Sequence, residues 1–503
     1  MQPGPSLAFV LPELALVVAL VALLVVDLVR SARGREPGEW PATIAFVGVG
    51  AALIATLGLP GIGLHGLLDA GAPRWLFGRM LSLDGFAVFF HVLLGLALLA
   101  TVAMSLGSRE VRGRPDEAEY FAILLGSGVG LLLMSSAAHL LMAYVSLELV
   151  SLTAYALTGL PREDRRAGEA ALKYLLYGGV ASGTMLFGMS WIFGLTGAMD
   201  YAGIAHGVAA LDPQSRGALF IALVLVLVGF GYKIAAVPFH MWAPDVYTGA
   251  PLPVTAFLAV GSKAAGFAML LRFFGFGIGP DGPSASIAGV PLVTLLAVAS
   301  VATMTVGNLA ALGQTNLKRL LAYSSVAHAG YALLGVVVFR ASGVGAVLFY
   351  LATYYVMNLG AFWVVMLVVN RTGREDLDAF RGLAWRGGAV PAVALALFLF
   401  SLAGLPPLAG FVGKFQVFAA AMQAGLWPLV VVAVLNSVVS LYYYAKVART
   451  MFLDAPAPDD PPLAFPLRDL GGVGALSVLT VWLGVWFGWL LDRAVEAGRT
   501  LAG

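Results

Sequence analysis

The chain has 503 residues, 29 of them Lys or Arg and 27 Asp or Glu, so that 11% are charged while 60% are hydrophobic. A soluble protein carries about 25% charged residues; too few are present here to cover several globular surfaces, and the apolar excess must face lipid. A net charge of +2 is too weak a field for a nucleic-acid partner. The lack of any Cys excludes disulfides, thiolate zinc sites and Cys-ligated iron–sulfur clusters.

A helix that crosses a bilayer needs about 20 mostly apolar residues. In chain order such stretches fall at 7–29, 41–60, 83–106, 120–138, 139–160, 171–198, 217–240, 249–276, 287–312, 320–340, 343–370, 389–421, 426–452 and 470–492. Lipid offers the backbone no hydrogen-bond partners, so segments this long and continuous span as helices. The sequence thus predicts an all-α polytopic membrane protein of about fourteen transmembrane helices. No Lys or Arg precedes the first stretch, whereas Arg30, Arg33 and Arg35 follow it. That polarity is wrong for a cleaved signal and suits a span.

Eighteen Lys and Arg fall on odd-numbered loops and five on even-numbered ones, with Arg493 and Arg499 in the C-terminal tail. The excess of positive charge on the cytoplasmic side predicts that both termini lie on the opposite face. The four remaining cations, Lys173, Lys233, Lys263 and Lys414, lie inside spans. An ionisable group at mid-membrane costs at least about 2.5–3.5 kcal/mol, so each needs a partner or a task.

On the fifth span, LLMAYVSLELVSLTAYAL places Glu148 with Tyr144 at i−4, Ser151 at i+3 and Tyr155 at i+7, one polar stripe on an otherwise apolar helix. Glu148 is read as a proton-carrying or field-setting carboxylate, against a neutral Glu that only bonds a neighbouring helix. For Lys173, in EAALKYLLYGG, two readings stand: an ordinary helical ion pair with Glu169 at i−4, or a reach across the loop 161–170 to Glu148. Lys233, in LVGFGYKIAAVPFHMWAP, precedes Pro238 by five residues, and His240 at i+7 is expected two turns away on the same face. A proline inside an apolar span breaks the helix, which is tolerated where backbone lines a hydrated cavity. Lys263, in PVTAFLAVGSKAAGFAMLL, has no acidic residue in its span and lies too far from either end to reach an interface. Lys414, in FSLAGLPPLAGFVGKFQVF, again follows a proline, Pro407, amid Gly404, Gly410 and Gly413.

Spans 7 and 12 therefore carry the same device five helices apart. An odd offset predicts two inverted five-helix repeats, spans 4–8 and 9–13, with a half-channel in each. The expected organisation is 1–119 with three N-terminal helices, 120–276 and 287–452 as the repeats, and 470–503 as the last helix and tail. GSGVG at 126–130 lacks a following Lys-Ser/Thr and lets helices approach rather than holding phosphate. His65, His91, His139, His206, His240 and His328 show no metal spacing. Of these His328, in AYSSVAHAGYALLG, is the better relay candidate, His240 is read as an interfacial residue or a relay, His91 and His139 as structural, and Asp84 as a helix cap or an interfacial charge.

The segments VPFHMWAPDVYTGAPLPVTAFLAVGSKAAGFAMLLRFF, LLMAYVSLELVSLTAYAL, NLKRLLAYSSVAHAGYALLG and LAGLPPLAGFVGKFQVF closely resemble the antiporter-like subunit N, or subunit-2, family of the proton-pumping NADH-quinone oxidoreductase. The resemblance runs over about 120–470. The WAPDVYTGAP form at 242–251 is similar to subunit N rather than to subunits L and M, and Lys414 stands where subunit M and antiporter relatives carry Glu. What the resemblance implies is a Glu148–Lys173 switch, Lys233 as the central lysine, His240 and Lys263 as the bridge to the second half-channel, and Lys414 opening to the far side. It also implies a multi-pass protein of the bacterial cell (inner) membrane, surrounded by other antiporter-like and small multi-span membrane-arm subunits and by lipid. No redox chemistry or cofactor is expected in this chain; NAD, FMN, iron–sulfur clusters and quinone belong to other subunits. The alternatives are a subunit of a multisubunit cation/proton antiporter, or a structural membrane-arm subunit with a silent channel.

Overall fold

Helices that are apolar on every side have no stripe to turn inward, so they either pack in the middle of the molecule or face lipid. The computed structural model describes residues 7–33, 38–59, 73–278, 286–287, 290–456 and 460–502. Among them, twelve helices are long and apolar enough to cross a membrane, and a bent C-terminal pair brings the number to thirteen.

The first three spans are α1 (Leu11–Ala32), α2 (Trp40–Leu57) and α3 (Gly85–Leu106), with a short antiparallel hairpin, β1 (Arg74–Leu76) and β2 (Leu81–Leu83), before α3. Then follow α4 (Glu117–Ser136), α5 (Leu140–Thr158), α6 (Arg165–Thr196), the short α7 (Tyr201–Ala210), α8 (Arg216–Ile234), the short α9 (Trp242–Gly249) and α10 (Leu252–Phe276). Two π-helical stretches, Leu258–Ser262 and Phe273–Ile278, interrupt the regular turns of α10 and its C-terminal end. Next come α11 (Leu292–Leu312), α12 (Leu317–Val338), α13 (Ala341–Thr372), the pair α14 (Ala389–Ala403) and α15 (Ala409–Gln423), and α16 (Trp427–Phe452). The chain closes with α17 (Leu467–Val485) and α18 (Gly488–Ala502), bent by 78° to one another.

Helices α10, α12 and α13 form the buried centre, whereas α1, α2 and α16 leave most of their apolar surface outward, with Val18, Leu28, Ile54 and Leu435 among the exposed side chains. The single span expected at 389–421 consists of two shorter helices, and that at 470–492 stops at Val485. His65 and Arg35 lie outside the described residues.

Two cations that the loop count had grouped with the surface are buried. Arg272, at the end of the regular part of α10, donates to Asp84 Oδ2 at 2.7 Å, to Asp84 Oδ1 at 2.9 Å and to the Ser135 carbonyl at 2.9 Å. Asp84 does cap α3, accepting from the Ala87 N–H at 2.8 Å, but its larger task is to neutralise this guanidinium. Lys318, in the first turn of α12, is also buried and donates to Glu375 Oε1 and to the Ala250 carbonyl, both at 2.9 Å. Lys318 lies one residue inside its helix and Arg272 near the end of an apolar run, so a loop count takes both as surface charges.

Candidate proton pathway

The two expected helix breaks are present. Helix α8 ends at Ile234, one residue beyond Lys233, and Ala235 turns left-handed at φ 58°. Trp242 Nε1 donates to the Tyr232 carbonyl at 3.0 Å and Thr303 Oγ1 accepts the Val237 N–H at 2.9 Å, so the backbone groups freed by the break find partners. Helix α14 ends at Ala403, with Gly404 left-handed at φ 92°, and here a lysine supplies the cap: Lys414 donates to the Ala403 carbonyl at 2.9 Å. Its ammonium also donates to Ser437 Oγ at 2.6 Å and sits 4.7 Å from the centre of the Tyr331 ring.

The polar stripe of α5 faces α8. Lys233 donates to Ser151 Oγ at 3.3 Å, and Tyr155 and Tyr232 hydroxyls lie 3.4 Å apart. Glu148, one turn before Ser151, is the carboxylate whose field reaches Lys233. Its Oε1 is enclosed and has no hydrogen-bond partner. Lys263 donates to the Ser325 carbonyl at 2.6 Å and to the Ser325 hydroxyl. Gly266, one turn after Lys263, lets α10 approach Lys233: a Cβ there would stand 3.1 Å from Lys233 Cγ.

From Lys263 the polar line continues along α12. Ser325, His328 and Tyr331 recur every third residue and share a side of that helix. Ser325 holds Lys263; His328 Nδ1 pairs with the Tyr350 hydroxyl and its Nε2 lies 3.4 Å from the Tyr444 hydroxyl; Tyr331 lies beneath Lys414. Behind them Asn308 donates to Tyr331 at 3.1 Å and to Asn436 at 3.2 Å and accepts from Tyr443 at 2.9 Å. Lys233, Lys263, His328 and Lys414 are each 2–3% exposed. Each of these lysines is held by hydroxyl or carbonyl oxygens, and no ion pair to a carboxylate is formed by any of the three among the described residues. An ammonium held by neutral oxygens keeps only weak reasons to stay charged, and this suits a group that gives its proton up.

One expectation is corrected, and one of the two readings of Lys173 is seen. His240 is not on the face of Lys233, because α8 has already ended; it lies half-buried in the turn before α9, its ring meeting the Pro238 backbone and its Nδ1 unpartnered. Lys173 is not on Glu148 in this structure. It donates to Glu169 at 2.7 Å, the helical pair expected from spacing, and to Asp245 at 2.9 Å, a partner that sequence reasoning missed. Asp245 also accepts from Arg319 at 2.6 Å. The signal was in the quoted WAPDVYTGAP segment, whose only carboxylate is Asp245.

Residues 137–440 match the family described as NADH:quinone oxidoreductase/Mrp antiporter, TM. The chain is 48% identical to NADH-quinone oxidoreductase subunit N 2 of Sorangium cellulosum over 499 residues, covering 97% of this chain and 96% of that one. It is 45% identical to NADH-quinone oxidoreductase subunit N of Anaeromyxobacter, covering 95% and 93%. Among solved structures it is similar to a chain of respiratory complex I from Thermus thermophilus with bound aureothin, at 35% identity, TM-score 0.78 and coverage of 96% and 98%. It is also similar to a chain of the Mrp complex from Dietzia, at 25% identity, TM-score 0.85 and coverage of 99% and 98%.

Proposed function

The chain belongs to the subunit N family of NADH-quinone oxidoreductase, within the wider antiporter-like family, and from that premise we propose that it moves protons along Glu148, Lys173, Lys233, His240, Lys263, His328 and Lys414, driven by quinone reduction elsewhere in the complex. The observation that carries this reading is the side of α12 on which Ser325, His328 and Tyr331 join Lys263 to Lys414, with Gly266 bringing α10 against Lys233 at the near end. His240 is the weakest member, and it serves as a relay only through a group that reaches its free Nδ1.

Electrostatics is large enough to drive such a chain. Moving one charge against a membrane potential costs about 2.3 kcal/mol per 100 mV. Since a pKa unit is worth about 1.4 kcal/mol, a swing of roughly 3 units matches transport against about 180 mV. Buried lysines reach swings of that size when a carboxylate's influence is added or withdrawn. In the proposed cycle, pairing of Glu148 with Lys173 withdraws the counter-charge from Lys233, which releases its proton toward Lys263 and Lys414.

The matching breaks after α8 and α14 support two inverted five-helix repeats, at 120–276 and 287–452, flanked by helices 1–119 and by 470–503. The placement of Lys and Arg supports both termini on the non-cytoplasmic side, and the likeness to bacterial subunit N chains supports a bacterial inner-membrane location. Its partners are then the other membrane-arm subunits, with NAD, FMN, iron–sulfur clusters and quinone held elsewhere in the complex.

The test is the proton-per-electron ratio of assembled, reconstituted complex carrying Glu148→Gln or Lys233→Ala. The reading expects a lower ratio in both, and an unchanged ratio in both would overturn it. Sodium transport by the complex in vesicles would favour the antiporter alternative instead.

A further inference from the structure

Helix α9 is tied on two sides. Toward the first half of the molecule, Trp242 stacks on Tyr174 at 4.4 Å between ring centres, and Gly249 packs so closely on α6 that a Cβ would stand 2.7 Å from the Arg166 carbonyl. Toward the second half, the first turn of α12 grips both ends of α9: Arg319 holds Asp245 at 2.6 Å, and Lys318 holds the Ala250 carbonyl, just past the last turn, at 2.9 Å. Asp245 is thus shared by a cation of α6, Lys173, and a cation of α12, Arg319. Meanwhile Glu148, the other carboxylate proposed for Lys173, keeps an enclosed oxygen without a partner.

We propose that Asp245 is the docking carboxylate for Lys173: it holds the ammonium off Glu148 and, through the bond it shares with Arg319, passes the position of Lys173 to α12, the helix that carries Ser325 and His328. This inference rests on the reading of Glu148 and Lys173 given above. With Lys173 docked, Asp245 divides its two oxygens between two cations, Oδ2 to Lys173 and Oδ1 to Arg319. When Lys173 leaves for Glu148, both oxygens fall to Arg319 and α12 is drawn toward α9. The site suits a reversible latch because its three side chains are 32–39% exposed. At that exposure an ion pair biases occupancy by up to roughly fivefold, enough to set a resting position and little enough to be undone in each cycle. Asp245 is a positioning residue on this view, acting on the proton path through Lys173.

The decisive experiment is the structure of the assembled complex in lipid carrying Asp245→Asn, together with its proton-per-electron ratio. The expected result is Lys173 Nζ within hydrogen-bond reach of Glu148; Lys173 remaining on Glu169 with Glu148 unpaired would overturn the proposal. Asp245→Glu, which keeps the charge, is expected to leave Lys173 docked, and serves as the structural readout should the Asn variant not assemble; Lys173 released in the Glu variant would overturn the proposal as well. In the ratio, Lys173→Met combined with Asp245→Asn is expected to match Lys173→Met alone, and a further fall in the double variant would overturn the claim that Asp245 acts through Lys173. A parental ratio in Lys173→Met would remove the underlying reading of Lys173, while the location of its ammonium in the Asp245 variants still decides the docking.

Discussion

Replacing Arg272 by Met should strand a buried carboxylate. Arg272 and Asp84 side chains are both 0% exposed and joined by two bonds of 2.7 and 2.9 Å. Breaking a buried pair from one side costs about 3–5 kcal/mol, because the remaining charge keeps its desolvation penalty. Here Asp84 retains the Ser82 hydroxyl at 3.0 Å and the Ala87 N–H at 2.8 Å, which places the loss at the lower end, about 3 kcal/mol. At about 1.4 kcal/mol per tenfold, that is a change of more than a hundredfold in the equilibrium that keeps α10 seated. Adding Asp84→Asn removes the stranded charge while its amide oxygen still accepts from Ala87, and pairs replaced on both sides are often neutral. The double variant should therefore recover most of the loss. The assay is the fraction of the chain retained in solubilised complex on native gels over a temperature series. Retention equal to the parent in Arg272→Met, or a double variant no better than the single one, would refute the reasoning.

Three further outcomes follow from the same geometry. Asn308→Leu leaves the Tyr331, Tyr443 and Asn436 polar groups short of a partner and should cost about 1–3 kcal/mol, read as lower thermal retention of the complex, whereas no change would show that these groups find other partners. Gly410→Ala puts a Cβ 1.8 Å from the Ser401 carbonyl and should prevent α14 and α15 from meeting, seen as loss of assembly; Gly50→Ala meets nothing within 4 Å and should assemble normally. Burial pushes the Asp245 carboxyl up, but Lys173 and Arg319 together pull it below the ordinary Asp value. Its stabilising contribution is therefore full above about pH 4 and is lost as pH falls through the lower folded value. Asp245→Asn should differ from the parent by a constant margin from about pH 8 to 5 in acid dissociation of the complex, and convergence already between pH 5 and 7 would contradict this.

How much was legible in the sequence depended on range. Most apolar runs fixed by the thickness of a bilayer were readable as spans, because each is a local property of about 20 positions, but 217–240 ends at Ile234, 389–421 is two shorter helices and 470–492 stops at Val485. The α5 stripe was readable for the same reason, and it does face Lys233 through Ser151. The first break was foreseen from Pro238 but placed too late: the helix ends at Ile234, and the left-handed Ala235 that follows carries no local signal. That early stop is why His240 left the face assigned to it. Arg272, Lys318 and Asp245 escaped because their meaning lies in partners 188, 57 and 72–74 residues away, which no window sees. Lys173 showed the limit most plainly, since spacing found Glu169 while the fold supplied Asp245.

The central claim is that Lys233, Lys263 and Lys414 stand on one hydrated proton path. It is tested most directly by a map of the complex in lipid at a resolution that places individual waters. The account predicts a continuous chain of water and polar side chains from Lys233 past Lys263, Ser325 and His328 to Lys414. Three dry lysines, each bonded only to Ser151, Ser325 or Ser437 and its neighbouring carbonyls, would contradict it.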